Sequence, residues 1–326
     1  MKSNLLEVSN LKTYFFTSQG VVKAVDDVSF VIRQRETIGL VGESGCGKTM
    51  TALSVMRLVP NPPGRIVGGK IILKGKDIFG LSELEMRRLR GSEIGMIFQD
   101  PMTFLNPVMK IADQLTEALV EHRKMSAGQA RNRMLELLRM VNIPSADKVQ
   151  DYYPHQLSGG MRQRVLTAMA MSCEPSLLIA DEPTTALDVT VQAQILKLIR
   201  ELRDKLGTSL LLITHDLGVV GEICDRVCVM YAGKIVETGD VFAMFRSPEH
   251  PYTVGLLSSI LRMDEYKETL PTIDGVVPDL VNPPSGCRFN PRCMKAMSIC
   301  REKNPPSFEI GPDHFVSCWL KEGGKA

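Results

Sequence analysis

The sequence predicts an α/β protein with a mostly parallel sheet into which a helical block is inserted. Apolar, β-branched runs such as Thr37–Val41 are typical of strands that are buried on both faces of a sheet. From Leu177 onward, such runs alternate with helical segments, which is the order of elements in parallel α/β folds. Between them, from about residue 100 to residue 156, apolar residues recur at three- and four-residue spacing and predict helices.

Local signals predict the individual elements in order. The first 45 residues are expected to form strands, among them Val28–Ile32 and Thr37–Val41, which are rich in β-branched residues. A helix is predicted from Lys48 to Leu58, because Pro60 follows and cannot continue it. The strands predicted in the second half are Leu177–Ala180, Ser209–Thr214 and Val227–Met230.

Composition and charge exclude several classes of protein. Of the 326 residues, 44% are hydrophobic and 23% are charged, which argues against disordered, collagen-like and coiled-coil proteins. The net charge of +2 offers no footprint for nucleic acid. No apolar run approaches the ~18 residues that a membrane span needs, and the N-terminus lacks the apolar region of a secretory signal. We therefore expect a soluble intracellular protein, whose eight cysteines are not presumed to form disulfides.

The length predicts two domains, and a change in composition places their boundary. Residues 261–326 contain eight of the 19 prolines and four of the eight cysteines. Such a segment is too short and too rich in proline to build a large core of its own. We expect a domain at residues 1–260, with a helical subdomain at about 100–156, and a cysteine-rich extension at residues 261–326.

A glycine-rich loop predicts a phosphate-binding site. The segment Gly42–Thr49 fits the pattern G-x-x-x-x-G-K-[ST] and lies between a predicted strand and a predicted helix, as in P-loop nucleoside triphosphatases (NTPases). Its glycines allow successive N–H groups to face one phosphate, to which the helix N-terminus adds a partial positive charge. Lys48 is expected to reach the β- and γ-phosphates of ATP, and the Thr49 hydroxyl to ligate Mg²⁺.

Two acidic residues end the predicted strand Leu177–Ala180. The ends of parallel strands open onto the ligand crevice of an α/β sheet. Asp181 is therefore predicted to hold Mg²⁺, and Glu182 to orient and deprotonate the attacking water.

The segment Leu157–Arg164, of sequence LSGGMRQR, resembles the signature of the ATP-binding-cassette ATPases. The resemblance covers about residues 5–260, and Met161 departs from the usual glutamine at the last signature position. It implies that Ser158, Gly159 and Gly160 face the γ-phosphate held by the phosphate loop of a second cassette subunit. The departure at Met161 puts little in doubt, because only Ser158, Gly159 and Gly160 need to contact phosphate.

Further motifs follow in the order of this family. Gln99 resembles the glutamine that ligates Mg²⁺, and His215 the histidine that contacts the γ-phosphate. The segment Ala186-Leu187-Asp188 resembles the loop at the cassette dimer interface. Phe15 is predicted to stack on adenine, with Tyr14 and Phe16 as rivals. The resemblance assigns nucleotide contacts to Phe15, Gly42, Ser44, Gly45, Cys46, Gly47, Lys48, Thr49, Met50, Ser158, Gly159, Gly160 and Asp188. Catalysis is assigned to Glu182, His215 and Gln99, and Mg²⁺ binding to Thr49, Gln99 and Asp181.

Three other stretches resemble the ATPase subunits of bacterial dipeptide and oligopeptide importers, whose relatives import nickel. They are residues 98–107, residues 232–239, and the set of residues 250–253, 283–287 and 290–293. The resemblance implies a peripheral protein on the cytoplasmic face of the cell membrane, with two transmembrane permease subunits and an extracytoplasmic peptide-binding protein. The second cassette subunit of the assembly is either a second copy of this chain or a different chain. The alternative function is that of a soluble redox- or metal-sensing ATPase. A chromosome-maintenance ATPase is disfavoured, because the spacing between Lys48 and Asp181 leaves no room for a long coiled coil.

The extension contains four cysteines with the spacing Cys287-x5-Cys293-x6-Cys300-x17-Cys318. Four thiolates in a core-poor segment of an intracellular protein predict a tetrahedral site. Zinc sites usually contain ligand pairs two to four residues apart, and none occurs here, which favours a [4Fe–4S] cluster over Zn²⁺. Four unligated thiols are the alternative. The cations expected to offset the thiolate charge are Arg288, Arg292 and Lys295. Of the other cysteines, Cys46 is a possible alkylation target in the phosphate loop, and three are expected in the core: Cys173, Cys224 and Cys228.

Overall fold

The computed structural model describes residues 3–185, 187–259 and 272–322, which contain twelve strands and twelve α-helices. The strands are β1 (Asn4–Thr17), β2 (Gly20–Arg33), β3 (Thr37–Val41), β4 (Gly64–Leu73), β5 (Lys76–Asp77), β6 (Ile94–Ile97), β7 (Leu177–Asp181), β8 (Ser209–Thr214), β9 (Arg226–Tyr231), β10 (Lys234–Asp240), β11 (Phe308–Gly311) and β12 (His314–Val316). The helices are α1 (Lys48–Val55), α2 (Glu83–Leu89), α3 (Pro101–Phe104), α4 (Ile111–Arg123), α5 (Ala127–Met140), α6 (Ala146–Val149), α7 (Gly159–Met171), α8 (Val189–Leu206), α9 (Leu217–Ile223), α10 (Val241–Arg246), α11 (Pro251–Ser258) and α12 (Ser298–Glu302).

The described residues divide into two compact units. The first unit comprises residues of Gly80–Leu211, with short segments from Met1–Leu5 and Arg33–Arg35. The second comprises Leu6–Ile32, Glu36–Phe79 and the described residues from Leu212 onward.

Helices dominate the first unit between residues 101 and 149, as the spacing of apolar residues predicts. Helices α4, α5 and α7 pack on one another. The apolar side chains that recur at three- and four-residue spacing, such as Leu115, Leu119 and Met134, are fully buried. In the same unit β6 and β7 run parallel, with Ile97 opposite Ala180, and every residue of β7 is buried. The carboxyl end of β7 delivers the two acidic residues of the candidate site.

The second unit contains two groups of paired strands. Strand β3 pairs in parallel with β9, and β9 pairs with β10 in antiparallel fashion. Strands β2, β1, β4 and β5 form a separate sheet in that order. The extension adds β12 to β10, with Val316 opposite Glu237, and β11 to β12. The extension therefore continues a sheet of the cassette, a pairing that the sequence does not predict.

The predicted strand limits agree with the structure to within one or two residues in the second half of the chain, and Thr37–Val41 agrees at both ends. The predicted helix from Lys48 is shorter than expected, since α1 ends at Val55. Arg57 adopts a left-handed conformation with φ +50°, which stops the helix before Leu58 and Pro60.

Two expectations fall wholly or partly outside the described residues. The domain boundary at 260 lies in such a segment, so the two-domain division stays a prediction. Ala186 of the predicted dimer-interface loop also lies outside. Among the described residues, no helix has the length and apolar character needed to cross a lipid bilayer.

Candidate nucleotide-binding and catalytic site

The phosphate loop connects β3 to α1, and its glycines are required by close backbone contacts. Gly42 has φ +150°, and a Cβ there would lie 2.0 Å from the carbonyl oxygen of Met230. Gly47 has φ +108°, and its Cβ would lie 2.3 Å from the carbonyl oxygen of Ala24. Any side chain at these two positions would displace the neighbouring backbone, so the loop needs glycine for shape.

Lys48 is folded onto its own loop. Its side chain is buried, and its ammonium group donates hydrogen bonds to the carbonyl oxygens of Gly42 at 2.8 Å and Glu43 at 3.1 Å. The Cys46 N–H also donates to the Glu43 oxygen. Thr49 and Met50 follow in the first turn of α1, where both are half-buried. The predicted phosphate ligands thus lie together at one helix N-terminus, where an anion is favoured.

The Cys46 thiol is fully buried beneath this loop. Burial raises the pKa of the Cys46 thiol, although the Lys48 ammonium acts in the opposite direction. A buried, protonated thiol is a poor nucleophile. The structure therefore argues against the expectation that Cys46 is an alkylation target. Cys173, Cys224 and Cys228 are buried, as predicted.

Gln99 and Glu182 meet in the first unit. The Gln99 amide donates to the Glu182 carboxylate at 2.9 Å, and the Thr185 hydroxyl donates to the same oxygen at 2.9 Å. Glu182 has φ +45°, a left-handed conformation that is uncommon outside glycine and that turns its side chain sharply at the strand end. Asp181 precedes it and is buried at the end of β7.

Helix α7 begins at the signature. Ser158 is its N-cap residue, and the Ser158 hydroxyl accepts a hydrogen bond from the Met161 N–H at 3.3 Å. Ser158 and Gly159 are exposed and Gly160 is half-buried, so the predicted anion-binding helix end is accessible on this unit. Asp188 caps α8 in the same manner, since its carboxylate accepts from the Val191 N–H at 3.0 Å.

The remaining predicted contacts lie in the second unit. His215 follows β8 and is exposed. Among the aromatic candidates, the Tyr14 hydroxyl donates a hydrogen bond to Asp26 at 2.7 Å. Burial, reinforced by this hydrogen bond, raises the pKa of Tyr14 to about 12. Phe16 is 48% exposed, whereas Phe15 is half-buried beside Gly64. The choice of Phe15 as the adenine-stacking residue stays a prediction.

The four cysteines of the extension line one pocket. Its walls are His250, Pro251, Cys287, Phe289, Asn290, Cys293, Lys295, Cys300, Cys318, Trp319 and Leu320. Burial, reinforced by the neighbouring thiols, raises the pKa of Cys287 to about 11. Burial also raises the pKa of Cys293 and of Cys318. The thiols are close enough to influence one another, but among the described residues no group of three or more His, Cys, Asp or Glu side chains is arranged to hold a metal ion.

The two arginines of this segment do not face the thiols. Arg288 pairs with Asp26, and Arg292 pairs with Glu43 of the phosphate loop at 2.8 Å. The prediction that these arginines offset thiolate charge is therefore wrong, because both guanidinium groups form ion pairs with carboxylates, those of Asp26 and Glu43. Two lysines act on these thiols: burial raises the pKa of Cys293 and of Cys318, and the charges of Lys295 and Lys321, respectively, partly oppose it.

Sequence reasoning missed the partners of these arginines. Asp26 and Glu43 are separated from them by 262 and 249 residues, and no local pattern connects positions so far apart. The sequence instead pointed to the thiols as partners, since Arg288 and Arg292 directly adjoin two of the four cysteines.

Two family models match this chain, one in its N-terminal part and one in its C-terminal part. The family model described as "ABC transporter" matches residues 25–185, and the model described as "Oligopeptide/dipeptide transporter, C-terminal region" matches residues 236–300. The oligopeptide transport ATP-binding protein OppD of Bacillus subtilis is 52% identical over 319 residues, which cover 98% of this chain and 89% of that protein. The dipeptide transport ATP-binding protein DppD of the same organism is 51% identical over 318 residues, covering 98% and 95%.

Solved structures confirm the predicted fold class. The ATP-binding cassette MJ0796, in a dimeric post-hydrolysis state bound to ADP and Pi, matches with a TM-score of 0.65 and 25% identity, covering 72% of this chain and 98% of that one. CbiO1 of Clostridium perfringens, part of an ABC transporter complex, matches with a TM-score of 0.63 and 27% identity, covering 75% and 91%. The alignments with OppD and DppD cover 98% of this chain and so extend over both the cassette and the C-terminal region. The chain therefore belongs to the ATP-binding-cassette ATPases of the oligopeptide and dipeptide transporter family.

Proposed function

We propose that this ATPase energises the import of oligopeptides or dipeptides through a membrane transporter. The observation that carries the proposal is the match of residues 236–300 to the C-terminal region of oligopeptide and dipeptide transporters. It is supported by the names of OppD and DppD, which align over nearly the whole chain. Nickel import and a soluble redox- or metal-sensing role are the less favoured alternatives.

For the chemical step, positioning and neutralisation of charge are sufficient, without a covalent intermediate. Lys48 and the loop N–H groups are proposed to grip the phosphates. Glu182, oriented by Gln99 and Thr185, would accept the proton of the attacking water. His215 is proposed to contact the γ-phosphate.

The candidate Mg²⁺ ligands are the hydroxyl of Thr49, the amide of Gln99 and the carboxylate of Asp181. All are oxygen donors, which is the chemistry that this ion prefers, and Asp181 is a buried acid at a strand end. When bound, Mg²⁺ would neutralise the charge that develops on the phosphates.

The proposed assembly contains two cassettes, identical or different. Ser158, Gly159 and Gly160 of one subunit would cover the γ-phosphate held by the loop of its mate, with Asp188 near the interface. The dimeric state of the similar cassette MJ0796 supports this arrangement. Two permease subunits and an extracytoplasmic peptide-binding protein would complete the transporter, and the ATPase would lie peripherally on the cytoplasmic face. We also propose the division into residues 1–260, with a helical subdomain at about 100–156, and residues 261–326.

We further propose a [4Fe–4S] cluster, with Zn²⁺ as the alternative, on Cys287, Cys293, Cys300 and Cys318. The donor set suits either group, since four sulfur atoms line one pocket. The thiols would have to approach one another and lose their protons, because burial raises the pKa of three of them. Iron, sulfide and zinc analysis of anaerobically purified protein decides between the two, and the absence of all three would refute both.

The test of the main proposal is co-purification from membranes followed by uptake measurements. We expect polytopic subunits to accompany the ATPase, and vesicles containing the complex to take up labelled peptides with ATP hydrolysis. A matched preparation carrying Glu182→Gln should assemble but not transport. Uptake of nickel without peptide would favour the nickel alternative, and the absence of membrane subunits would favour the sensing role.

A further inference from the structure

Glu43 is tied to its surroundings through each of its polar groups. Its carbonyl oxygen accepts from Lys48 and Cys46 within the phosphate loop. Its N–H donates to the Tyr252 hydroxyl at 3.0 Å, and its carboxylate accepts from Arg292 at 2.8 Å. The last two contacts come from residues far along the chain, so the shape of the loop depends on groups outside the loop.

Arg292 is fixed so firmly that it can position Glu43. Its side chain is only 6% exposed, and all three guanidinium nitrogens donate hydrogen bonds. Nε donates to the carbonyl of Asp274 at 2.9 Å, and Nη2 donates to the carbonyl of Ile273 at 3.0 Å. Nη1 serves Glu43 and lies 3.4 Å from the Tyr231 hydroxyl. Since the hydrogen bonds of Nε and Nη2 fix the planar guanidinium group, Nη1 is held in a defined position next to the Glu43 carboxylate.

A second set of hydrogen bonds connects the same loop to Arg288. Arg288 is 5% exposed and donates to the carboxylate of Asp26 and to the carbonyl of Ala232. The next residue, Gly233, donates its N–H to the Cys46 carbonyl at 2.8 Å. Arg288 therefore acts on the phosphate loop through one intervening turn.

An aromatic cluster joins these contacts into one packed body. Tyr252 is fully buried, and its ring centroid lies 4.6 Å from that of Tyr231 and 5.4 Å from that of Phe289. Phe289 follows Arg288, and Arg292 lies over the Tyr231 ring. The segment Cys287–Cys293, which supplies four of the residues that line the cysteine pocket, therefore packs against the phosphate loop.

We propose that Arg292 is a positioning residue for nucleotide binding, through which the Cys287–Cys293 segment holds Glu43 and thereby the phosphate loop in its binding shape. Anything that orders the cysteine pocket, whether a bound metal or the packing of its thiols, then strengthens nucleotide binding. Conversely, nucleotide binding stabilises the extension, because coupling between two sites is reciprocal. The inference rests on nucleotide binding by the loop and not on the identity of the cargo.

The test compares nucleotide affinity in four full-length variants: Arg292→Gln, Glu43→Gln, the double variant and Arg301→Gln. Arg301 is an exposed arginine of the same extension and serves as the matched control. Equilibrium binding of a non-hydrolysable ATP analogue with Mg²⁺ is measured, followed by the KM and kcat of ATP hydrolysis. The emission of Trp319, the single tryptophan, which lines the cysteine pocket, reports whether the extension is folded.

Each single variant should raise the dissociation constant roughly tenfold, within the 5- to 150-fold range of ordinary coupling between sites. The double variant should be no worse than either single one, because both remove the same interaction. KM for ATP should rise while kcat changes little, and Arg301→Gln should stay within about twofold of the wild type. Arg292→Lys should restore part of the affinity, since it keeps the charge but not the fork.

Dissociation constants within about twofold of wild type in both single variants would overturn the proposal, as would effects that multiply in the double variant. If Arg292→Gln leaves the extension unfolded, Glu43→Gln decides alone, because it alters no residue of the extension. Unchanged affinity together with intact peptide uptake would reject this inference and leave the proposed function standing.

Discussion

Gln99 and Glu182 are 83 residues apart in the chain, yet the amide of one donates to the carboxylate of the other at 2.9 Å. The Thr185 hydroxyl donates to the same carboxylate oxygen. Two donors on one oxygen hold the acid in a single orientation, which is the property a general base needs.

Glu182→Gln is expected to keep nucleotide binding and to reduce kcat by at least about 100-fold. The amide keeps the shape of the side chain and still accepts from Gln99, but it cannot accept a proton. Phosphate release gives kcat, and binding of a labelled ATP analogue gives affinity. Turnover at the wild-type rate would refute the catalytic assignment of Glu182.

Thr185→Val is expected to lower kcat by about tenfold, because a hydrogen bond to a charged group contributes roughly 1.5–3 kcal/mol. KM should be unchanged, since the hydroxyl acts on the acid and not on the nucleotide. Thr185→Ser, which keeps the donor, is the matched control. Wild-type kcat in Thr185→Val, which keeps the methyl group of threonine and lacks only the hydroxyl, would contradict this role of the hydrogen bond.

Lys48→Ala is expected to weaken nucleotide binding by at least about tenfold, the effect of losing one strong charged contact. The loop should keep its turns, because close backbone contacts fix Gly42 and Gly47, although the two hydrogen bonds from the ammonium group to Gly42 and Glu43 are lost. Equilibrium binding checks the affinity, and a circular dichroism spectrum checks the fold. Wild-type affinity in this variant would contradict the assignment of Lys48 to the phosphates.

Cys46 is expected to resist iodoacetamide at pH 7.5, because its thiol is buried and burial raises its pKa. Peptide mapping by mass spectrometry after timed labelling measures the rate at each cysteine. Burial raises the pKa of Cys287 and Cys293 as well, but these two thiols are half-exposed and should therefore be labelled earlier if they carry no metal. Rapid labelling of Cys46 with loss of nucleotide binding would contradict the buried state of the thiol.

His250 is expected to make the fold sensitive to acid. Burial lowers the pKa of His250 to about 3, so the folded state stays neutral at this residue while the unfolded state, with a pKa of about 6.5, takes up a proton. Stability is therefore unaffected above pH 6.5 and falls as the pH drops below it, by about 1.4 kcal/mol at pH 5.5. Glu237 lies next to His250, and its carboxylate accepts hydrogen bonds from the backbone N–H of His250 and from the ring of His314.

The variant His250→Asn tests this expectation. Asparagine can still accept from the Tyr252 N–H at the start of α11, as the His250 ring nitrogen does at 3.0 Å, but it does not titrate. Urea unfolding followed by Trp319 emission at pH 7.5 and 5.5 gives the two free energies of unfolding. The variant should lose less stability than the wild type between these two pH values. Equal losses would assign the acid sensitivity to other groups.

Local chemistry made much of the fold predictable from the sequence. The strand Thr37–Val41 is predictable from its run of apolar residues, and the loop after it from the pattern G-x-x-x-x-G-K-[ST]. Both signals lie within a few consecutive residues. The cap at Ser158 is likewise a short-range hydrogen bond. The ion pair between Arg292 and Glu43 could not be predicted, because it joins positions that only tertiary packing brings together. The pairing of β12 with β10 is missing from the prediction for the same reason.

The Ser158 cap has a chemical consequence for which residues can stand there. Its oxygen accepts from the Met161 N–H through a lone pair, and the hydroxyl hydrogen is left to be donated elsewhere. Aspartate would cap the helix equally well but would bring a negative charge and no proton to donate. Alanine would lose both abilities. A residue that caps this helix and also leaves the site favourable for an anion must be neutral, and its side chain must accept one hydrogen bond and donate another.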